Sequence, residues 1–331
     1  MKIAINGFGR IGRVFFRQAV KNPDFEIVAI NDLGDKENLV YLLEHDSVYG
    51  RWKVDDKKWR EVKFFEERDP SKLPWKDLEI DVVVESSGLF TSYDEAKKHL
   101  LSGAKRVVVT APSESAEDTS GNKIITFTPN VGLDAVDKGL ITSNASCTTN
   151  SVTPVMAIMM KDPGVEKAVL TTVHSYTASQ GIVDRPDKKD WRRGRAGASN
   201  ISPSTTGAAI ATTQAIKEMA GKFDAVAVRV PVIAGSLSDF TFVSRRKTTA
   251  DEINKIFESA SKSPEWLGII KIADSGTVSS DVLGEPYGAI IDTSFTRVIE
   301  GDLVKVFSWY DNEWGYCAML IKHIEALKPY L

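Results

Sequence analysis

The sequence has little of what membrane-bound, secreted or nucleic-acid-binding proteins depend on. Its 331 residues include only two cysteines, Cys147 and Cys317, which are a poor basis for a disulfide framework and fit a reducing cytosol. No run approaches the ~18 apolar residues that a membrane helix needs. The formal net charge of −3 gives no basic field for nucleic acid. We therefore expect a cytoplasmic protein with no nucleic-acid partner, no membrane partner and no metal site.

Short apolar runs alternate with helical patterns in the first half of the chain. The predicted strands are residues 2–6, 25–31, 81–85 and 106–110. The third of these runs is apolar almost throughout, as strands buried on both faces of a parallel sheet are. Ser92 with Glu95 forms a capping box, which predicts a helix that ends at Gly103. This βαβ rhythm predicts a Rossmann-type doubly wound parallel sheet, which is an α/β fold.

Beyond Asn150 the rhythm changes to longer strands with few helices between them. The candidates are residues 165–176, 224–232, 237–247, 289–298 and 303–310. Several of them alternate apolar and polar residues, which indicates a sheet with one covered face. Thr249 with Glu252 predicts one helix, and a final helical pattern covers 316–327. We expect residues 1–147 to form a nucleotide-binding domain and 148–312 an α+β catalytic domain on a mostly antiparallel sheet.

Three glycines form a G-x-G-x-x-G motif directly after the first strand. Gly7 would make the tight turn, Gly9 would let the backbone approach a pyrophosphate, and Gly12 would let the helix pack closely. The helix N-terminus would then bind the phosphates. Asp32 follows Gly12 by 20 residues, a spacing that suits an acid that accepts from a ribose 2′-OH and disfavours NADP. The alternative is an ordinary turn followed by a solvated acid.

Cys147 lies in the polar segment SNASCTTN, residues 143–150. Residues 152–160 look helical, so the sequence places this cysteine at a helix N-terminus, where the partial positive charge lowers the pKa of a thiol. The side chain would then be a nucleophile. The alternative is an inert buried cysteine.

A thiolate nucleophile commonly has a histidine partner, and the chain has four histidines. His99 and His323 lie in patterns typical of surface helices, and His45 lies at an acidic helix end. His174 ends the β-rich run LTTVH and is the best candidate. A packed histidine in a strand is the alternative.

A nicotinamide site together with a thiolate predicts oxidation of an aldehyde. The thiolate would form a hemithioacetal, the imidazole would take the proton as hydride leaves, and the acyl thioester would pass to an acceptor. Phosphate as the acceptor needs anion sites, for which the candidates are Thr177, Arg193, Thr206, Gly207 and Arg229. Arg193 belongs to the run RRGR, which a solvated basic patch would also explain. Arg229 lies within an apolar strand, where an unpaired charge would be costly.

Several segments together resemble the phosphorylating glyceraldehyde-3-phosphate dehydrogenase family: INGFGRIGR, ASCTTN, HSYT, TTGAA, RVP and WYDNEWGY. The similarity runs nearly end to end. It implies oxidation of D-glyceraldehyde 3-phosphate to 1,3-bisphosphoglycerate with NAD⁺ and inorganic phosphate, in glycolysis and gluconeogenesis. It also implies a homotetramer that binds one NAD per subunit, and a C-terminal helix, 313–331, that completes the first domain.

The resemblance also implies roles for single residues. Cys147 matches the nucleophile and His174 the base, and Tyr316 matches a residue close to the nicotinamide. The matching cofactor contacts are Gly7, Gly9, Arg10, Ile11, Gly12, Asp32, Arg68, Thr110 and Asn312. Thr177 and Arg229 match the site for the phosphate of the substrate. The site for inorganic phosphate is matched by Ser146, Thr148, Thr206 and Gly207, with Arg193 nearby.

The chain departs from the family pattern at several positions. Ser151 stands where the family commonly has a second cysteine, and Ser87 stands where threonine is frequent. Ser179 replaces an aspartate or threonine, which would tune the substrate-phosphate site differently. The segment VIAGSLSDF after RVP does not follow the usual pattern. Arg185, where relatives often have leucine, would let this loop approach a 2′-phosphate in a neighbouring subunit, so use of NADP stays open.

Two other functions stay open at the level of sequence. Erythrose-4-phosphate dehydrogenase uses the same thiolate and cofactor, but relatives of that type tend to lose the HSYT and TTGAA segments that are intact here. A non-catalytic NAD-binding protein is the other alternative. It would need neither Cys147 nor His174.

Overall fold

The structure is a computed structural model that describes residues 1–53, 59, 61–113, 121–188 and 190–331. It divides into two compact units. The first unit comprises Met1–Ala145 and Cys317–Leu331, and the second comprises Ser146–Tyr316. Within the described part of the chain, no helix is both long enough and apolar enough to cross a membrane.

The first unit contains a parallel sheet of seven strands. In chain order these strands are β1 (Lys2–Asn6), β2 (Glu26–Asn31), β5 (Lys63–Phe65), β6 (Val82–Glu85), β7 (Arg106–Val109), β8 (Ile125–Thr126) and β9 (Ile141–Ser143). Their order across the sheet is β5-β2-β1-β6-β7-β9-β8, and each neighbouring pair is parallel. A separate two-stranded sheet pairs β3 (His45–Asp46) with β4 (Gly50–Arg51). The predicted Rossmann-type sheet is confirmed, and the valine-rich β6 and β7 are buried along their whole length.

Helices connect the strands of the first unit. Those whose bounds lie within the described residues include α1 (Arg10–Ala19), α2 (Lys36–Glu44), α3 (Tyr93–Ala96) and α4 (Lys98–Leu101). The capping box of Ser92 and Glu95 is present at the start of α3, as predicted. Gly103 follows α4 with a φ of +105°, a conformation that glycine adopts without strain and that ends a helix.

The second unit contains a mixed sheet of seven strands. They are β10 (Val165–Ser175), β11 (Ser202–Thr205), β12 (Phe223–Val230), β13 (Ser236–Ser244), β14 (Ile270–Ile272), β15 (Ala289–Ile299) and β16 (Leu303–Tyr310). The order is β11-β12-β10-β13-β16-β15-β14, in which β10 pairs with β12 and β14 with β15 in parallel, and the other pairs are antiparallel. The predicted second sheet, mostly antiparallel, is confirmed. In the register of β10 and β12, His174 lies opposite Arg229.

Further α-helices in the described part of the chain are α5 (Cys147–Lys161), α6 (Ala208–Ala215), α7 (Ala250–Lys262) and α8 (Trp314–Ala326). Thr249 caps α7 by accepting from the Glu252 N–H at 3.2 Å, as its sequence pattern predicts. Helix α5 carries the polar residues of the segment around Cys147 at its N-terminal end, so its start is the feature that positions the candidate nucleophile.

His99 and His323 are buried, which contradicts the surface helices predicted for both. The His99 ring accepts at Nδ1 from Trp75 Nε1 at 3.0 Å, and its Nε2 lies 3.1 Å from a carboxylate oxygen of Glu85. The Nε2 atom of His323 lies 2.8 Å from Thr142 Oγ1, and its ring stacks on Phe127 with 3.6 Å between centroids. Histidine is read as polar in a helical pattern, but inside the first unit both nitrogens of His99 and the Nε2 of His323 have polar partners.

The buried His323 should make the stability of the protein depend on pH. Burial lowers the pKa of His323 to about 3, against about 6.5 in an unfolded chain. The unfolded state therefore binds more protons than the folded state between these two pH values. The contribution of His323 to the free energy of unfolding is fully present above about pH 6.5 and is lost as the pH falls toward 3. We expect this group alone to lower the free energy of unfolding by ~2 kcal/mol between about pH 6.5 and pH 5.

Urea unfolding at about pH 7 and pH 5 measures this loss. The variant His323→Gln should be less stable than the wild type at neutral pH, but its loss on acidification should be smaller by ~2 kcal/mol. His45→Gln replaces a histidine that is only partly buried, and it should leave the loss unchanged. Equal losses in all three proteins would contradict the prediction.

Candidate active site

The Gly-rich turn after β1 has the backbone that its glycines allow. Gly7 has a φ of +92°, and a Cβ there would lie 2.4 Å from the Ser87 nitrogen. A Cβ on Gly12 would lie 2.2 Å from the Gly7 carbonyl oxygen, so α1 packs directly on the turn. A Cβ on Gly9 would meet nothing within 4 Å. Protein atoms thus pack against Gly7 and Gly12, whereas the space beside Gly9 is free for a pyrophosphate to approach the backbone.

Helix α1 begins behind this turn without a side-chain cap on Gly9. The hydrogen bonding of the helix begins where the Arg13 N–H donates to the Gly9 carbonyl oxygen. The N–H groups of the first turn, including those of Ile11 and Gly12, point out of the helix N-terminus. Together with the helix dipole, this arrangement suits an anion.

Asp32 lies directly after β2 and close to the turn. Its Oδ2 accepts from the Phe8 N–H at 2.6 Å, and its Oδ1 accepts from the Gly34 N–H at 2.8 Å. An ionised carboxylate offers about four lone-pair positions. The carboxylate is therefore held in place by the backbone and keeps positions for a hydroxyl donor.

Three further predicted cofactor residues lie in the first unit. The Arg10 guanidinium forms an ion pair with Asp46, so this side chain is engaged by the protein itself. Arg68 is exposed. Thr110 donates from its hydroxyl to the Glu85 carbonyl oxygen at 3.1 Å, which fixes it at the end of β7.

Asn312 and Tyr316 belong to the second unit. The Asn312 Oδ1 accepts from Ser175 Oγ at 2.9 Å, from the Gly235 N–H at 3.0 Å and from Ser236 Oγ at 3.2 Å. These bonds hold the amide group in one orientation, with Nδ2 directed away from the three donors. Tyr316 is buried.

Cys147 is the first residue of α5. Ser146 caps this helix, because its Oγ accepts from the Thr149 N–H at 3.1 Å. The predicted position of the cysteine at a helix N-terminus is thus confirmed. The Cys147 Sγ lies 3.3 Å from His174 Nε2, which is within the reach of a nucleophile and its base.

His174 is held by two groups at its other ring nitrogen. Its Nδ1 lies 2.7 Å from the Ser175 carbonyl oxygen and 2.6 Å from Arg229 Nη1, and that Nη1 also donates to the Ser175 oxygen at 3.0 Å. The parallel pairing of β10 and β12 places His174 and Arg229 side by side. The charge of Arg229 therefore has polar partners within its sheet.

The pKa values of the two candidate catalytic groups shift in opposite directions. Burial and the positive charge of Arg229 lower the pKa of His174 to about 3, so its ring is neutral near pH 7. Burial raises the pKa of the Cys147 thiol, although Arg229 and hydrogen bonds from Thr148 oppose this effect. The helix N-terminus predicts a lowered thiol pKa, whereas desolvation of Cys147 shifts the pKa in the opposite direction. The neutral imidazole of His174 can therefore accept the proton of the Cys147 thiol.

Tyr310 supports the start of α5, a role that the sequence reasoning missed. Its hydroxyl lies 2.9 Å from Thr148 Oγ1 and 2.8 Å from Thr172 Oγ1. Its ring lies edge-on to His174 with 6.0 Å between centroids. The alternation of β16, in which every second residue up to Tyr310 is buried, is a signal that could have identified it.

Ser151 lies one turn after Cys147 on α5. It is buried, and its hydroxyl lies 3.2 Å from Ser238 Oγ and 3.4 Å from Ser308 Oγ. Strands β13 and β16 therefore bind this side chain through hydroxyl groups. The position at which relatives commonly have a second cysteine is occupied here by a satisfied polar residue.

The other predicted anion residues lie around β11 and the end of β10. Arg193 donates to Ser204 Oγ from Nη2 at 3.3 Å, and the Ala208 N–H donates to Thr206 Oγ1 at 3.2 Å. Gly207 is the N-cap of α6. The Thr177 hydroxyl lies 2.9 Å from Ser179 Oγ. Among the described residues, no hydrogen bond joins these four predicted residues (Thr177, Arg193, Thr206 and Gly207) to Cys147 or His174.

Comparisons with known proteins match both parts of the chain. Residues 1–93 match the family model for the NAD binding domain of glyceraldehyde 3-phosphate dehydrogenase, and residues 146–312 match the model for its C-terminal domain. The chain belongs to the glyceraldehyde-3-phosphate dehydrogenase family. NAD is therefore its cofactor, and the chain is an NAD-dependent oxidoreductase.

Curated members of this family resemble the chain over almost its full length. Glyceraldehyde-3-phosphate dehydrogenase of Streptomyces coelicolor is 41% identical over 97% of this chain and 96% of its own length. Glyceraldehyde-3-phosphate dehydrogenase 1 of Saccharomyces cerevisiae is 42% identical over 98% of both chains. The enzyme of Chlamydia pneumoniae is 40% identical over 99% of both. These comparisons do not favour erythrose-4-phosphate dehydrogenase or a non-catalytic protein.

Proposed function

We propose that the chain oxidises D-glyceraldehyde 3-phosphate to 1,3-bisphosphoglycerate with NAD⁺ and inorganic phosphate. The observation that carries this proposal is the contact of Cys147 Sγ with His174 Nε2 at 3.3 Å, beside the Arg229 guanidinium. A nucleophile, a base and a cation are thereby joined in the second unit of a chain whose first 93 residues match an NAD-binding family model. These are the groups that such a reaction requires.

The first unit offers the groups that NAD needs. The turn that is open at Gly9 and the N–H groups of Ile11 and Gly12 support a pyrophosphate site, and the fixed carboxylate of Asp32 supports a ribose site. We propose that the full contact set is Gly7, Gly9, Arg10, Ile11, Gly12, Asp32, Arg68, Thr110 and Asn312. When bound, NAD⁺ supplies the acceptor for a hydride.

Cys147 and His174 carry the proton transfers. The neutral imidazole takes the thiol proton at Nε2 as Sγ attacks the aldehyde carbon and forms a hemithioacetal. The imidazole returns this proton to the aldehyde oxygen, which becomes the hemithioacetal hydroxyl. It then takes the hydroxyl proton again as a hydride leaves the carbon for the nicotinamide, and a thioester remains. Inorganic phosphate then attacks the thioester carbon, the bond from that carbon to Sγ breaks, and the imidazolium returns its proton to the Cys147 sulfur.

Two anion sites complete the proposal. Arg229 and Thr177 would bind the phosphate of the substrate through charge-assisted and hydroxyl bonds. The residues proposed for inorganic phosphate are Ser146, Thr148, Thr206 and Gly207, with Arg193 nearby. The α6 N-terminus at Gly207 has no side-chain cap, which supports this placement.

The wider organisation rests on the same family membership. We propose that residues 1–147 with 313–331 are the NAD-binding domain and that 148–312 are the catalytic domain. We also propose a homotetramer with one NAD per subunit that works in the cytoplasm in glycolysis and gluconeogenesis. Sedimentation of the purified protein would measure the assembly.

A steady-state assay of NADH formation tests the function. Glyceraldehyde 3-phosphate and erythrose 4-phosphate should each be tried with NAD⁺ and with NADP⁺, with and without inorganic phosphate. We expect turnover of the three-carbon aldehyde with NAD⁺ that depends on phosphate. Equal or better rates on the four-carbon aldehyde, or rates indifferent to phosphate, would overturn the proposal. The NADP⁺ arm tests whether the chain, which has Arg185 in its loop, also uses NADP⁺.

Replacing Arg229 should weaken substrate binding. An Arg–phosphate pair is charge-assisted and contributes ~1.5–3 kcal/mol, so Arg229→Ala should raise the KM for glyceraldehyde 3-phosphate by about 10- to 100-fold. The control is Arg195→Ala, which removes an exposed arginine paired with Asp184 and should leave the KM unchanged. A wild-type KM in Arg229→Ala would remove Arg229 from the substrate-phosphate site.

A further inference from the structure

We propose that His99 is a positioning residue for NAD. It anchors a buried network of side-chain hydrogen bonds that holds the Gly-rich turn, the ribose carboxylate and Arg68 in place. This rests on the proposed function, because it takes Gly7, Asp32 and Arg68 as contacts of NAD. His99 is 0% exposed, so it would act on the cofactor only through other residues.

Three neighbouring strands of the first sheet end in buried polar residues. Asn6 ends β1, Asn31 ends β2 and Glu85 ends β6, and β1 lies between the other two strands. The carboxyl ends of parallel strands form the edge at which doubly wound folds bind their ligands. Buried polar groups destabilise a protein unless they are hydrogen-bonded, so the partners of these side chains show what they hold.

The backbone of Glu67 fixes the orientation of the Asn31 amide. Its N–H donates to Asn31 Oδ1 at 2.9 Å, and its carbonyl oxygen accepts from Asn31 Nδ2 at 2.9 Å. A reversed amide would set donor against donor and acceptor against acceptor. Asn31 Nδ2 is therefore the atom that donates to Asn6 Oδ1 at 2.7 Å. This bond directs Asn6 Nδ2 toward Glu85, where it donates to Oε2.

Trp75 fixes the other end of the network. Its indole N–H lies 3.0 Å from His99 Nδ1, and an indole nitrogen can only donate. His99 Nδ1 therefore accepts and bears no proton, which places the ring proton on Nε2. The Nε2–H donates to Glu85 Oε2 at 3.1 Å.

The carboxyl group of Glu85 joins the two ends. Its Oε2 accepts from Asn6 and from His99, and its Oε1 accepts from the Ser87 N–H at 2.8 Å. Glu85 is 2% exposed, so water does not replace a donor that is removed. A buried polar network constrains its members only while all of them have partners. Loss of the His99 donor should therefore loosen the bond between Glu85 and Asn6.

Each of three network residues directly precedes a residue of the proposed cofactor site. These are Asn6 before Gly7, Asn31 before Asp32, and Glu67 before Arg68. The Ser87 nitrogen, which Glu85 holds, also packs so closely on Gly7 that a Cβ there would lie 2.4 Å away. Binding groups must be held to within ~0.5 Å of their productive positions. The affinity for NAD⁺, which would contact all three sites, should report whether the network is intact.

Replacing His99 by leucine tests the network by calorimetric titration with NAD⁺. Leucine fills the space but donates no hydrogen bond, so the Kd for NAD⁺ should rise about ten-fold, the order of one bond lost from a buried partner. His99→Gln, whose amide can donate to Glu85, should stay within about two-fold of the wild type. The KM for NAD⁺ should follow the Kd, whereas kcat at saturating NAD⁺ should change by less than about three-fold. A histidine that only fills space would be replaced by leucine at least as well as by glutamine.

The matched control is His323→Leu, which removes another fully buried histidine of the first unit. Its printed partner is Thr142 rather than a residue of the network. It should unfold in less urea than the wild type but keep the wild-type Kd for NAD⁺. His99→Asn, whose shorter amide would not reach Glu85, should raise the Kd and provides the test if His99→Leu does not fold.

Two results would overturn the proposal. One is a wild-type Kd in the variant that lacks the donor to Glu85, and the other is an equal rise of the Kd in His323→Leu. Neither touches the proposed function, because the Kd for NAD⁺ is measured without aldehyde or phosphate. An enzyme that oxidises glyceraldehyde 3-phosphate but binds NAD⁺ normally without His99 would keep its function and lose this network. A protein whose NAD⁺ affinity depends on His99 but that forms no NADH would show the reverse.

Discussion

Replacing Cys147 by serine should lower the rate of aldehyde oxidation by on the order of 10⁴-fold or more, since removal of a nucleophile abolishes the covalent route. A hydroxyl has a far higher pKa than a thiol, and the neutral His174 3.3 Å away is too weak a base for it. The rate of NADH formation with glyceraldehyde 3-phosphate and phosphate is the measurement.

The same variant should bind NAD⁺ with the affinity of the wild type. Its substitution lies in the second unit, whereas the proposed pyrophosphate and ribose groups lie in the first. Calorimetric titration with NAD⁺ tests this. The matched control is Cys317→Ser, which removes the other cysteine, a buried one, and should keep NADH formation within a few-fold of the wild type. Full activity in Cys147→Ser would remove the thiol from the mechanism.

Replacing His174 by asparagine should lower kcat by about 10²- to 10⁴-fold, the usual contribution of a general base. Asparagine keeps a polar group beside Ser175 and Arg229 but cannot take a proton from Cys147 near neutral pH. Because the KM for the substrate rests on Arg229 and Thr177 in our proposal, it should change far less than kcat. Steady-state kinetics over a range of substrate concentrations separates the two constants.

The thiol of His174→Asn should also react more slowly with iodoacetamide near neutral pH. Burial already raises the pKa of Cys147, and the variant lacks the imidazole that lies 3.3 Å from Sγ and takes its proton in our proposal. His45→Asn, at a partly buried histidine of the first unit, is the control for both measurements. A His174→Asn protein with wild-type kcat would show that another group accepts the proton.

Much of the fold could be predicted because its signals are local. The valine-rich runs of β6 and β7, the three glycines after β1 and the Ser92 capping box each act within a few residues, and the structure has all of them. The start of α5 at Cys147 was predicted for the same reason. Short strands such as β8, with two residues, carry too little periodicity to be recognised.

The predictions that failed concern groups whose neighbours are distant in sequence. His99 is buried because Trp75 and Glu85 satisfy its nitrogens, and nothing in its own helix indicates these partners. The pKa of Cys147 depends on how deeply the start of α5 is buried, which a helix dipole argument does not contain. The register that sets His174 beside Arg229 likewise appears only once β10 and β12 are paired.

Ser151 has a consequence for the response of the enzyme to oxidants. A cysteine that is oxidised to a sulfenic acid is commonly rescued by a nearby thiol, which forms a disulfide that reductants can open. Cys147 has no such neighbour one turn along α5, since the side chain there is a serine bound to Ser238 and Ser308. Recovery from peroxide should therefore depend on small thiols of the cell, and without them oxidation continues to the irreversible sulfinic acid.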